Sequence, residues 1–113
     1  MTNTNERNLA LANDIKDFMI KNEVANDTRI YFNGMAYDSI SDNEYKDING
    51  IKGSDYFEYA DDEGVSMSFE GTLYHMINYG TMPKLLEKFN KIFTKHNCYY
   101  ELGYAWSLRA VFD

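Results

Sequence analysis

Between residues 5 and 22 apolar side chains return at helical intervals. Leu11, Ile15 and Phe18 form one line, Leu9, Ala12 and Met19 its neighbour, and Lys16, Asp17 and Lys21 fall among the polar positions. The spacing predicts an amphipathic helix that Asn22 or Asn26 can end. The period then changes to two. In TRIYFNGMAYDS, Asn33-Gly34 separates two apolar runs, and a two-residue turn of this kind needs positive φ at both central positions. The register that follows sets Phe32 opposite Met35, Tyr31 opposite Ala36, Ile30 opposite Tyr37 and Arg29 opposite Asp38. Phe32, Met35, Ile30 and Tyr37 then share the core face, and the Arg29–Asp38 pair lands on the other.

Residues 39–54 are polar and turn-rich. Ser41 and Glu44 have the spacing of a capping box for a single helical turn closed by Asn49-Gly50, so a surface loop with a short helix is expected. Alternation resumes in DYFEYADDEGVSMSFEG, residues 55–71. A three-residue loop, Asp62-Glu63-Gly64, with Gly64 left-handed, predicts a second hairpin. Asp61 would face Val65, Tyr59 would face Met67 and Phe57 would face Phe69. One side becomes Phe57, Tyr59, Val65, Met67 and Phe69, a core face; the other carries Tyr56, Glu58, Ala60, Ser66, Ser68 and Glu70. A four-residue loop would set Glu58 opposite Met67 and mix the two faces.

TLYHMINYG next predicts a short helix from a Thr72 cap to a Gly80 stop, burying Leu73, Met76 and Ile77. A longer one follows in MPKLLEKFNKIFTKHN, where Pro83 suits the first helical position and Asn97 a left-handed stop. Leu85, Leu86, Phe89, Ile92 and Phe93 make its apolar stripe, with Lys84, Lys88, Lys91 and Lys95 on the opposite side. In the tail, Cys98, Tyr100 and Leu102 alternate against Tyr99 and Glu101. Trp106, Leu108, Ala110 and Phe112 alternate against Ser107, Arg109 and Val111. Gly103 marks either a bulge or a turn between two strands. The whole reads as one α+β domain over residues 1–113, with helices packed on one face of a mostly antiparallel sheet.

Composition adds a charge map. The 113 residues carry a net charge of −7, with 10 Tyr and 7 Phe. From Asp38 to Glu70 there are ten acids and two lysines, a net of −8, while the flanks carry −1 and +2. The excess therefore belongs to one third of the chain, and the helix at 83–96 opposes it with four lysines, making the molecule bipolar. Such acidity argues against direct nucleic-acid binding, which needs a basic footprint. It suits a basic protein surface, reached by steering and complementarity. One cysteine, Cys98, allows no internal disulfide, and no apolar run approaches the roughly 20 residues of a membrane span. MTNTNERN has no leader pattern, so a soluble, cytoplasmic protein is expected.

Specific chemistry is hard to place on these residues. Asp61, Glu63, Gly64 and Glu70 fall at positions 3, 5, 6 and 12 of the helix-loop-helix calcium pattern, but position 1 is Tyr59 and the flanks read as strands. Glu58 and Glu70 on one hairpin face offer little cleft for paired acid–base work. His75, His96 and Cys98 lack a fourth soft ligand for zinc, and Cys98 at an apolar strand start lacks an activating neighbour. GIKGS at 50–54 lacks the spacing of a phosphate loop. No cofactor, metal or catalytic residue is predicted.

What remains is a surface. Outward acids on a strand repeat every roughly 6.6–6.8 Å and present a row of negative charge to a groove built for a nucleic-acid backbone. Asp42, Glu44, Asp47, Asp55, Tyr56, Glu58, Asp61, Asp62, Glu63 and Glu70 are the candidate contact residues. In size, acidity, single-domain build and absence of a catalytic motif, the chain resembles the small acidic inhibitors of phages and mobile elements that act against CRISPR or restriction enzymes. That resemblance is one of kind and carries no residue across. It implies a non-enzymatic inhibitor that occupies a basic nuclease surface. Two other expectations come from the residues: a ligand-binding or enzymatic pocket between helix and sheet lined by Tyr, Trp106 and His75, or self-assembly, as a homodimer for example, through the tail strands.

Overall fold

The computed structural model describes residues 4–33, 35–38, 45–47 and 64–112. Helix α1 (Thr4–Lys21) leads into strands β1 (Thr28–Phe32), β2 (Met35–Asp38), β3 (Tyr45–Asp47) and β4 (Ser66–Phe69). Helices α2 (Gly71–Tyr79) and α3 (Pro83–Lys95) follow, then strands β5 (Cys98–Leu102) and β6 (Ser107–Phe112). The strands form one antiparallel sheet in the order β3-β2-β1-β4-β6-β5. All three helices pack on one of its faces. Leu11, Ile15 and Met19 of α1, Leu73 and Met76 of α2, and Phe89 and Phe93 of α3 join Ile30, Phe32, Tyr37, Val65, Met67, Phe69, Leu108 and Ala110 in a single buried cluster. This is the α+β architecture expected.

The first hairpin has the expected register at all four pairs, from Arg29–Asp38 to Phe32–Met35. Asn33 takes φ 52°, the left-handed conformation that its short side chain tolerates. That side chain also anchors the turn: Asn33 Nδ2 donates to the Asn5 carbonyl at 2.9 Å, and Asn8 Nδ2 donates to Asn33 Oδ1 at 3.2 Å. Helix α1 ends as Glu23 turns left-handed at φ 59°. Pro83 opens α3 as expected, and Asn97 at φ 60° follows its end. Gly80 closes α2 at φ 64°, its N–H donating to the Met76 carbonyl at 3.1 Å.

Four expectations need correction. Tyr45–Asp47 is a strand, not part of a helical turn, because it adds to the free edge of β2, with Tyr45 opposite Tyr37 and Asp47 opposite Met35. The capping box at Ser41 and Glu44 lies outside the described residues. Helix α2 begins at Gly71 with Glu70 as its flanking residue and no side-chain cap, so Thr72 does not cap it. The third correction concerns the second hairpin. Its arm 55–61 lies outside the described residues, but β4 is occupied on both edges: Met67 lies opposite Ile30 of β1 and Leu108 of β6. The expected partners Tyr59 and Phe57 lie outside the described residues, and the strands beside Met67 are β1 and β6 instead of an adjacent hairpin arm. Long-range pairing wins because it stacks Ile30, Met67 and Leu108 across three central strands on the buried face. Val65, Met67 and Phe69 do form the core face, fully buried.

The tail is a hairpin, with Leu102 opposite Leu108 and the loop 103–106 between. That loop breaks the alternation, which is the fourth correction: Trp106 does not share the side of Leu108 but packs on Tyr31 and Ala36 on the second face of the sheet. The register lays Ala36, Tyr31, Ser66, Arg109 and Glu101 in one row across that face. Tyr31, Ala36 and Ser66 are buried there, so Ser66 is no part of a solvated row.

Asp14 ties α1 to the end of α3. His96 Nε2 lies 2.7 Å and Lys95 Nζ 3.3 Å from Asp14 Oδ2. The hydrogen bond with His96 is the main cause that lowers the Asp14 carboxyl below its ordinary 3.8; burial opposes it and Lys95 assists. A lowered carboxylate stabilises the fold above the unfolded value, about 3.9, and that contribution vanishes as pH falls through the folded value. Solvent screens this partly exposed pair, so Asp14→Asn is expected to lose less than about 1 kcal/mol at neutral pH. Urea midpoints of the two proteins should converge as pH falls through the folded value of Asp14. Parallel pH profiles for variant and wild type would refute the assignment.

Candidate functional site

Beside the point where β4 becomes α2, an open cleft of about 360 Å³ is lined by Glu70, Gly71, Tyr74, His75 and Trp106. Chain geometry brings Glu70 there. Its N–H donates to the Asp27 carbonyl at 3.0 Å, and Phe69 N–H donates to the Trp106 carbonyl at 2.8 Å. The strand end is thus fastened on both sides before the helix starts. Gly71 makes the bend possible: a Cβ there would stand 2.7 Å from the Asn26 carbonyl oxygen and overlap the Asn26 side chain.

Tyr74 and His75 follow one turn into α2. The Tyr74 ring meets His75 edge-on at 5.5 Å and Tyr79 at 6.1 Å, and His75 stacks on Tyr79 at 5.8 Å. A hydrogen bond with Tyr79 pushes the Tyr74 phenol up from its ordinary 10.0. The opposite wall is Trp106, stacked on Tyr104 at 5.1 Å with the rings nearly parallel. The β5–β6 loop that carries it is well held. Asn78 Nδ2 donates to the Ala105 carbonyl at 2.8 Å, and Tyr104 N–H donates to Ser107 Oγ at 2.9 Å. The aromatic walls therefore stand on hydrogen-bonded backbone from two elements.

An open cleft with aromatic walls and a carboxylate at the rim suits a cation, because ring faces are negative and attract an ammonium or guanidinium within about 6 Å. Helix α3 shows the opposite sign. Lys84, Lys88, Lys91 and Lys95 are exposed; Lys91 pairs with Glu87 at 3.4 Å and Lys95 with Asp14 at 3.3 Å, as on a solvated helix face. Cys98 is buried with its thiol donating to the Phe93 carbonyl at 3.2 Å, the environment of a small core residue. Among the described residues no group of three His, Cys, Asp or Glu could hold a metal ion.

Of the two candidate contact residues among the described ones, Glu70 lines a cleft. Asp47 sits in β3 opposite Met35. Asp42, Glu44, Asp55, Tyr56, Glu58, Asp61, Asp62 and Glu63 lie outside the described residues. Trp106, His75 and a tyrosine, Tyr74, do line one cleft, but it lies beside α2 and the β5–β6 loop and not between helix and sheet as expected. Tyr79 and Tyr104, which back the walls, were not singled out. Their signal is the cluster of aromatics at 74, 75 and 79 and at 104 and 106. Among the described residues no helix is long and apolar enough to cross a membrane. Compared with known proteins, the chain matches no family model, no curated protein and no solved structure.

Proposed function

We propose that the chain is a non-catalytic binding module for a cationic protein surface. One observation carries this: Glu70, the last acid of the −8 stretch, stands at the rim of a cleft walled by Tyr74, His75 and Trp106. The acid-rich third supplies a long-range field that raises encounter rates with a basic partner. The cleft supplies what charge alone lacks, a desolvated aromatic anchor of the kind that dominates interface energies. In its finer form, the partner is the arginine- and lysine-lined groove of a nucleic-acid enzyme of the CRISPR or restriction class, met in the cytoplasm. The acids stand in for backbone phosphates there, so the module acts as an inhibitor.

The test compares wild type with Glu58→Lys, Asp61→Lys, Asp62→Lys and Glu63→Lys combined, binding a synthetic arginine-rich peptide. Wild-type affinity should fall as salt rises, and the variant should bind at least roughly tenfold more weakly. Its far-ultraviolet circular dichroism should match wild type. Unchanged affinity in a folded variant rejects the proposal.

A further inference from the structure

A second cleft, of about 430 Å³, opens between the head of α1 and the β5–β6 hairpin. Arg7 and Arg109 line it with Thr4, Glu101, Val111 and Phe112. In a chain of net charge −7, two guanidiniums facing one cavity need an explanation.

Arg7 is held in place. Its guanidinium carbon lies 3.7 Å from the centroid of the Phe112 ring. Nε and Nη2 donate to Asn8 Oδ1 at 3.3 and 3.1 Å. Asn8 is buried and donates in turn to Asn33, whose amide donates back to the Asn5 carbonyl. The hairpin turn, the helix and the last strand thus combine to orient one arginine. Among the described residues no carboxylate pairs with it. Arg109 sits loosely, with Glu101 at 3.7 Å, both side chains more than two-fifths exposed. Among the described residues the lining therefore carries two cations against one anion.

A surface arginine that serves only solubility has no need of such a clamp. Orienting the guanidinium plane before binding removes the ordering cost that a flexible cation would meet. The remaining N–H groups of a plane so fixed form a fork for two oxygens of one ligand. Arg109, freed from Glu101 by a modest movement, can supply a second. We propose that this cleft binds an oxyanion, the phosphate or carboxylate group of a small molecule, with Arg7 as the oriented donor and Arg109 as its adjustable partner. Glu101 opposes the ligand and sets the affinity low. The site is separate from the cationic-partner cleft and stands or falls without it.

The experiment is a nuclear magnetic resonance titration of the full chain with inorganic phosphate and, separately, benzoate, against sodium chloride of equal ionic strength. The Nε–H signals of Arg7 and Arg109 and the amides of 109–112 should shift and saturate. Phosphate saturating first marks a phosphate site, and benzoate first a carboxylate site. Arg7→Lys keeps the charge but loses the fork, and should weaken binding by about tenfold. Arg109→Gln leaves the Arg7 clamp untouched and should also weaken it. Glu101→Gln should tighten binding several-fold, a gain that damage to the fold does not produce. Shifts that sodium chloride reproduces, or that stay unchanged in both Arg7→Lys and Glu101→Gln, overturn the proposal.

Discussion

Phe89→Ala is expected to cost about 3–5 kcal/mol, a large share of the roughly 5–15 kcal/mol that holds an ordinary domain together. The ring is fully buried and joins its own helix to two other elements. Its centroid lies 5.7 Å from Phe18 of α1, 5.2 Å from Phe93 of α3 and 5.6 Å from Tyr100 of β5. Tyr100 is itself fixed, its hydroxyl donating to Asn90 Oδ1 at 2.6 Å. A void at this junction has rigid walls and collapses poorly, which places the cost at the upper end of the large-to-small range. Thermal melting should show a midpoint lower by on the order of 15 °C. Phe18→Ala removes a ring from the same stack, but one that is only partly buried, and should cost clearly less. Equal losses at the two positions would mean that the helices do not close over the sheet as described.

Gly71→Ala is expected to follow, at about 1–3 kcal/mol. Two effects coincide at this position. The backbone stands at φ +21°, where L side chains are rarely found, and the new Cβ would press on the backbone oxygen of Asn26. Gly80 separates the two effects. It lies at φ +64° with nothing within 4 Å of an added Cβ, so Gly80→Ala meets the dihedral cost alone, on the order of 1 kcal/mol. If the close approach matters, Gly71→Ala is the worse variant in urea denaturation. It should also weaken cation binding, because Gly71 itself lines the cleft beside Glu70. A Gly71→Ala protein no less stable than Gly80→Ala would show that the turn at Asn26 yields easily.

Local periodicity carried some parts of this molecule and missed others for identifiable reasons. The β1–β2 register was legible because Asn33-Gly34 leaves a two-residue turn few alternatives. Helices α1 and α3 were legible from apolar spacing, and Val65, Met67 and Phe69 from alternation. The neighbours of β4 were not. Pairing Met67 with Tyr59 costs little loop entropy on paper, but the sheet pairs Met67 with Ile30 and Leu108, each about forty residues distant, a choice decided by core packing rather than by any turn. Trp106 escapes the alternation because counting back from Leu108 runs through a loop, where side-chain phase is lost. The cleft was half legible. His75 and Trp106 stood out as residue types, but their meeting depends on Phe69 N–H reaching the Trp106 carbonyl. The Arg7 clamp was not legible, because Asn8 and Asn33 meet only when the hairpin turn lies against the first turns of α1.

The most direct test of the cationic-partner account uses a convenience of the sequence: Trp106 is the one tryptophan. Its emission, followed while an arginine-rich peptide is added at low salt, reports on a side chain that lines the cleft. A saturating change is predicted, with a midpoint that rises with salt and that Glu70→Gln raises further. Peptide binding detected by calorimetry with no change in Trp106 emission, or emission changes indifferent to Glu70→Gln, would contradict it.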